Sequence, residues 1–83
     1  MTTRAYVLIE AAVGNAKAVA ERISGMSSPN ARIVAADSVT GPYDVIAVVE
    51  ADDLHHLGDA ITDGIQQVDG VRRTTSCLVA QPR

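Results

Sequence analysis

The sequence predicts an α+β domain of the ferredoxin-like kind, βαββαβ, with one four-stranded antiparallel sheet and two helices on one of its faces. Three observations carry that prediction. Four segments are rich in β-branched residues, two others repeat their apolar residues at spacings of three and four, and the two kinds alternate along the chain in that order. A chain of 83 residues has room for one domain, 1–83, with an ordered core at about residues 4–80.

The first strand is expected over Arg4 to Ala12, around Tyr6-Val7-Leu8-Ile9, and ends before Gly14. Asn15 then reads as a helix N-cap and Gly25 as the C-terminal stop, with Ala16, Val19, Ala20 and Ile23 forming one apolar stripe between them. Ser27-Ser28-Pro29-Asn30 is turn material. Strand character returns from Ala31 to Val39, breaks at Gly41-Pro42, and resumes from Tyr43 to Ala51, so these two segments are expected to pair as a hairpin.

Asp52 or Asp53 is placed to cap the second helix, whose Leu54, Leu57, Ile61, Ile65 and Val68 recur every three or four residues. Gly58 and Gly64 make it a weak helix by propensity. Asp69-Gly70 turns the chain into a last strand over Val71 to Ala80, and Gln81-Pro82-Arg83 reads as a frayed tail.

An antiparallel sheet with helices on one face normally alternates apolar and polar residues, and the central strands here do not. Val7 and Ile9 oppose Tyr6 and Leu8, while Val45, Ala47 and Val49 oppose Ile46 and Val48, so both faces call for burial. Only three residues precede Arg4 and three follow Ala80, too few to cover the second face. The expectation is a homodimer packed sheet against sheet.

Composition excludes several functions. Two Tyr, no Phe and no Trp leave no platform for stacking bases, and seven Lys+Arg against ten Asp+Glu, a net charge of −3, argue against direct contact with nucleic acid. The apolar runs are far shorter than a membrane span, no export signal is evident, and Cys77 has no partner for a disulfide; a cytoplasmic protein is expected.

Candidate chemistry is sparse. His55 and His56 are neighbours and point apart on a helix, which does not suit a shared metal. Cys77 lacks a nearby His or second Cys and reads first as a small core residue. Asp52, Asp53, Asp59, Asp63 and Asp69 suit caps and a solvated face, and Arg72 with Arg73 suits solvent or ion pairs. Neither phosphate-binding glycine motifs nor a nucleophile elbow is present, so no catalytic residue, metal or cofactor is expected.

Thr40-Gly41-Pro42-Tyr43-Asp44 remains. As turn chemistry it shapes a bend; as a site, backbone donors beside Gly41 suit a carboxylate and Asp44 suits an ammonium, the two ends of a zwitterion.

Ala5-Tyr6-Val7-Leu8-Ile9, Val39-Thr40-Gly41-Pro42-Tyr43-Asp44 and Gly70-Val71-Arg72-Arg73-Thr74-Thr75-Ser76 together resemble the effector-binding domain of Lrp/AsnC regulators over nearly the whole chain. The resemblance implies a ferredoxin-like domain that dimerises through its sheet, assembles into rings of dimers and holds an amino acid or similar effector between dimers. Carried over position by position, it assigns ligand binding to Gly41, Tyr43, Asp44, Thr74, Ser76 and Cys77, with Leu78 beside them. Ser76 stands where the family more often has Thr, and Pro42 removes one backbone donor from the hairpin. Complete members carry an N-terminal helix-turn-helix domain that this sequence lacks, so DNA binding is not transferred.

The resulting expectation is a ligand-binding regulatory module that is not an enzyme. Its alternatives are an adaptor that joins full-length Lrp/AsnC regulators, and a small dimeric ferredoxin-like enzyme.

Overall fold

The computed structural model describes residues 2–80. Its elements are β1 (Thr3–Ala11), α1 (Ala16–Ser24), β2 (Ser27–Ser28), β3 (Ala31–Ser38), β4 (Val45–Ala51), α2 (Leu54–Asp59) with its continuation, and β5 (Val71–Leu78). The sheet is antiparallel throughout, in the order β2-β3-β4-β1-β5. This is the expected ferredoxin-like arrangement with one addition. Ser27 and Ser28, read as turn residues, pair with Arg32 and Ala31 and extend the sheet from four strands to five.

The core lies between the sheet and the helices. Ala5, Val7 and Ile9 of β1 and Val45, Ala47, Val49 and Ala51 of β4 are buried against Val19, Ala20 and Ile23 of α1 and Leu57, Ile61 and Ile65 of the second helical segment. All of these are aliphatic, so packing depends on methyl contacts without aromatic anchors.

One helix-end expectation needs correction. Asn15 makes no side-chain cap; its carbonyl instead accepts the Val19 N–H at 2.9 Å. Gly25 does end α1 as expected, in right-handed geometry with its N–H donating back to the Glu21 carbonyl. At the second helix Asp53 does cap, accepting the His56 N–H at 2.8 Å.

That second helix is not one regular helix. After α2 the chain winds as a π-helical turn over Ala60–Gly64 and then as a 3-10 turn over Ile65–Gln67. The apolar spacing explains why. Leu57, Ile61 and Ile65 are four apart, and on a 3.6-residue helix each step drifts about 40° around the axis. The wider turn, closed by the Ile65 N–H on the Ala60 carbonyl, brings all three back to the sheet. Leu54, which the periodicity assigns to the same stripe, stays 62% exposed.

Candidate functional site

The loop from Val39 to Asp44 joins β3 to β4 and is held at both ends by backbone. The Val39 N–H donates to the Asp44 carbonyl and the Asp44 N–H donates to the Ile9 carbonyl, each at 2.9 Å. Gly41 has φ +141°, a conformation that side chains disfavour, and no heavy atom lies within 4 Å of where its Cβ would be. Backbone geometry, not space, therefore requires glycine at this exposed tip.

Asp44 reaches across to β1. Its Oδ2 accepts the Ala11 N–H at 2.8 Å, where β1 slips register between Glu10 and Ala11 against β5. The bulge frees an amide from the ladder, and the carboxylate satisfies it. Tyr43, half-buried, precedes Asp44 at the base of the loop.

The beginning of β5 reaches the same end of the sheet. Thr74 pairs with Ile9, which in turn pairs with Val45, so Thr74 lies one strand beyond β1 from the hairpin's base. Adjacent strands are about 4.8 Å apart, which separates the two groups by roughly 10 Å.

The six ligand candidates do not share one face. Thr74 and Ser76 are in register with Ile9 and Val7 and point to the helix side. There the Thr74 Oγ1 accepts from the Gln66 amide at 2.9 Å. Cys77 is in register with Tyr6, so it points to the opposite, helix-free face and is exposed, contrary to its reading as a core residue. Leu78 returns to the helix side opposite Ala5 and is 52% exposed. Within one chain, then, Gly41, Tyr43 and Asp44 form one group, Thr74 and Ser76 a second, and Cys77 stands apart.

The helix-free face carries the unusual apolar residues of the central strands. Tyr6 is 43% exposed there, with Leu8, Ile46 and Val48 half-buried around it. At one end of this patch Glu50 receives two arginines. Arg4 Nε donates to its Oε2 at 2.7 Å and a second Arg4 nitrogen binds the same oxygen, while Arg32 holds Oε1. The hydrogen bonds from Arg4 hold the Glu50 carboxyl below the usual carboxylate range, against the opposing effect of burial, with the charges of Arg4 and Arg32 adding to the shift. The same contact raises the Arg4 guanidinium. At the other end Glu10 lies 3.9 Å from the Arg73 guanidinium.

Glu50 and Gln66 are the polar residues that sequence reasoning missed. Glu50 had a legible signal: it follows an apolar run in the most β-prone segment, where a charge needs a partner. Gln66 had none, because its role depends on the 3-10 turn.

The histidines also have local partners. His56 Nδ1 and Asp53 Oδ1 are 2.8 Å apart, and His55 Nε2 lies 3.3 Å from Asp59 Oδ2. The Asp53 carboxyl is held low, first by the backbone N–H of His56. Among the described residues no cluster of three His, Cys, Asp or Glu side chains could hold a metal, and no helix is long and apolar enough to cross a membrane.

The fold is an antiparallel sheet with both helices on one face, and its candidate site is a glycine-tipped hairpin latched at a bulge. Residues 4–82 match the family model of the Lrp/AsnC ligand binding domain, and the chain belongs to that family.

Solved structures agree. TTHA0845 from Thermus thermophilus is 37% identical with a TM-score of 0.81, the match covering 98% of this chain and 99% of that one. PHS023 from Pyrococcus horikoshii is 29% identical with a TM-score of 0.82, covering 99% and 93%. The transcriptional regulator NMB0573 from Neisseria meningitidis, solved as its L-Met complex, shares the fold at 16% identity and a TM-score of 0.77; the match covers 95% of this chain and 50% of that one. No curated protein matches the chain.

Proposed function

We propose that the protein is a cytoplasmic amino-acid sensor module whose oligomers bind the effector at the hairpin end of the sheet, between dimers. The family match over residues 4–82 carries this reading, and the L-Met complex of the regulator NMB0573 supports an amino acid as the ligand class. Gly41 backbone donors would meet the effector carboxylate and Asp44 its ammonium. Tyr43, Thr74, Ser76 and Cys77 would contact the remainder, the last strand reaching the hairpin of another subunit.

The apolar face of Tyr6, Leu8, Ile46 and Val48 is the dimer surface in this reading. Linkage supplies the mechanism: an effector bridging two dimers stabilises the assembly that forms its site. Neither a cofactor nor a catalytic step enters.

A panel of amino acids in thermal unfolding tests the proposal. A ligand at about 100 times its dissociation constant stabilises by about 2.7 kcal/mol per site. A selective shift that Tyr43→Phe or Thr74→Val weakens supports the sensor. A flat panel across all common amino acids, L-methionine included, sinks it.

One observation favours a second reading. Asp44 already spends one carboxylate oxygen on the Ala11 amide, which suits a hairpin built as a rigid docking element. Under that reading the module joins full-length Lrp/AsnC regulators without an effector of its own, and mixing it with such a regulator changes the oligomer size in the absence of any amino acid.

A further inference from the structure

The helix-free face of the sheet is charged at both ends of its apolar centre. Along β1 every second residue reaches this face, in the order Arg4, Tyr6, Leu8, Glu10, so a base and an acid flank two apolar residues. β4 sets Glu50 beside Arg4, Val48 beside Tyr6 and Ile46 beside Leu8. β3 adds Arg32 opposite Glu50 and Asp37 opposite Ile46.

The charges at the two ends are not spent within the chain. Arg4 and Glu10 stand roughly 20 Å apart at 3.4 Å per residue, well beyond the screening distance of about 8 Å in physiological salt. At the first end a single carboxylate, Glu50, serves both Arg4 and Arg32, whose side chains remain 39% and 66% exposed. At the second, Glu10 is 43% exposed and lies 3.9 Å from Arg73, a loose pair. Asp37 has no ion-pair partner among the described residues.

We propose that a second copy of this chain covers the face with its strands running the opposite way, so that Arg4 of each copy meets the partner's Glu10. This inference rests on the dimer reading above and adds its direction. Sheets packed in the aligned manner lie about 10 Å apart with strand directions within about 30°, and a two-fold axis makes every contact reciprocal. The axis then lies between the sheets, either across the strands or along them.

Across the strands, midway between the rows of Tyr6 and Leu8, the axis brings Tyr6 over the partner's Leu8, Val48 over the partner's Ile46 and Arg4 over the partner's Glu10. Apolar residues cover apolar residues, and each end of β1 meets its opposite charge. Along the strands, the axis brings Tyr6 over the partner's Val48, stacks the two arginine-bearing ends and stacks the two ends that hold Glu10. The antiparallel arrangement is the one that compensates the open charges. Arg4 and Glu10 thereby select the direction of the second copy, and a chain carrying like charges at both positions is rejected.

The test uses the full 83-residue protein. In a dimer mixed from isotope-labelled and unlabelled wild-type chains, filtered nuclear Overhauser spectra should connect the Tyr6 ring to the partner's Leu8 methyls, a readout that depends on no variant folding. In sedimentation equilibrium Glu10→Lys should weaken the dimer about tenfold or more, because like charges then meet twice. Glu21→Lys, the same charge change at an exposed position of α1, should leave it unchanged.

Contacts from the Tyr6 ring to the partner's Val48 without contacts to the partner's Leu8 overturn the direction and leave the sheet dimer standing. So does a Glu10→Lys dimer as tight as that of Glu21→Lys. A chain that stays monomeric overturns the direction and the dimer reading together, whereas a flat amino-acid panel removes the effector and leaves this contact in place.

Discussion

The Asp44 carboxylate completes the backbone hydrogen bonding of Ala11, its Oδ2 accepting the amide at 2.8 Å where β1 bulges. A residue carried over as a ligand contact is therefore also a structural latch between hairpin and sheet. Asp44→Ala should cost roughly 1.5–3 kcal/mol, the range for a hydrogen bond to a charged group. Asp44→Asn keeps an acceptor and should cost less. Urea unfolding followed by circular dichroism measures both, and equal stability of Asp44→Ala and wild type would remove the latch.

Glu50 ties stability to acid. Its carboxyl is held below the ordinary range by Arg4, so its contribution is full above the unfolded carboxylate value of about 4.3 and fades as pH falls through the lower folded value. The urea midpoint should fall more steeply below about pH 4.3 in wild type than in Glu50→Gln. Parallel curves for the two proteins would show that the triad makes no pH-dependent contribution.

Asp53 caps α2 through the His56 N–H. Asp53→Ala should destabilise by about 1 kcal/mol. Faster amide exchange at His56, localised to that turn, is the accompanying signature, and unchanged exchange there would contradict the cap.

Gly70 sits at φ +97°, and a Cβ on it would stand 2.9 Å from Val19 Cγ2. Gly70→Ala combines a disfavoured conformation, roughly 1–2 kcal/mol, with a clash against a core residue. A melting temperature within a degree of wild type would disprove this account.

On the helix-free face, Leu8→Asp or Ile46→Asp should convert the proposed dimer to a monomer in analytical ultracentrifugation, because a lone carboxylate in a closed apolar contact is costly. Dimers persisting in both variants would place the contact elsewhere.

The strands and the first helix were legible because local and long-range requirements coincide. Ala16, Val19, Ala20 and Ile23 form a stripe in any helical reading, and Val45 to Val49 suit few structures other than a buried strand. The Ser27–Ser28 strand was not legible, since its pairing depends on Arg32 and Ala31 lying opposite and not on its own propensity. Gly58 and Gly64 warned of a weak second helix, yet the π-helical turn follows from a four-residue repeat that must keep facing the sheet. The hairpin was visible as punctuation around Gly41, but Asp44's bond to Ala11 required knowing where β1 bulges. The resemblance groups Thr74, Ser76 and Cys77 in one site, whereas pairing with β1 sets Thr74 and Ser76 on the helix side and Cys77 opposite. Without the register against β1, no pattern said which group faced the helices.

The shared grip of Arg4 and Arg32 on Glu50 gives substitutions at these positions a preferred order. Replacing one arginine leaves Glu50 one ion pair, and replacing both strands a carboxylate that is only 11% exposed, whereas replacing Glu50 first leaves arginines that are 39% and 66% exposed in contact with water. A descendant sequence can lose this polar cluster by way of one arginine and then the glutamate, but losing both arginines first passes through a buried carboxylate with no partner. The three positions should therefore drift as a group, with at least one arginine kept for as long as the carboxylate is.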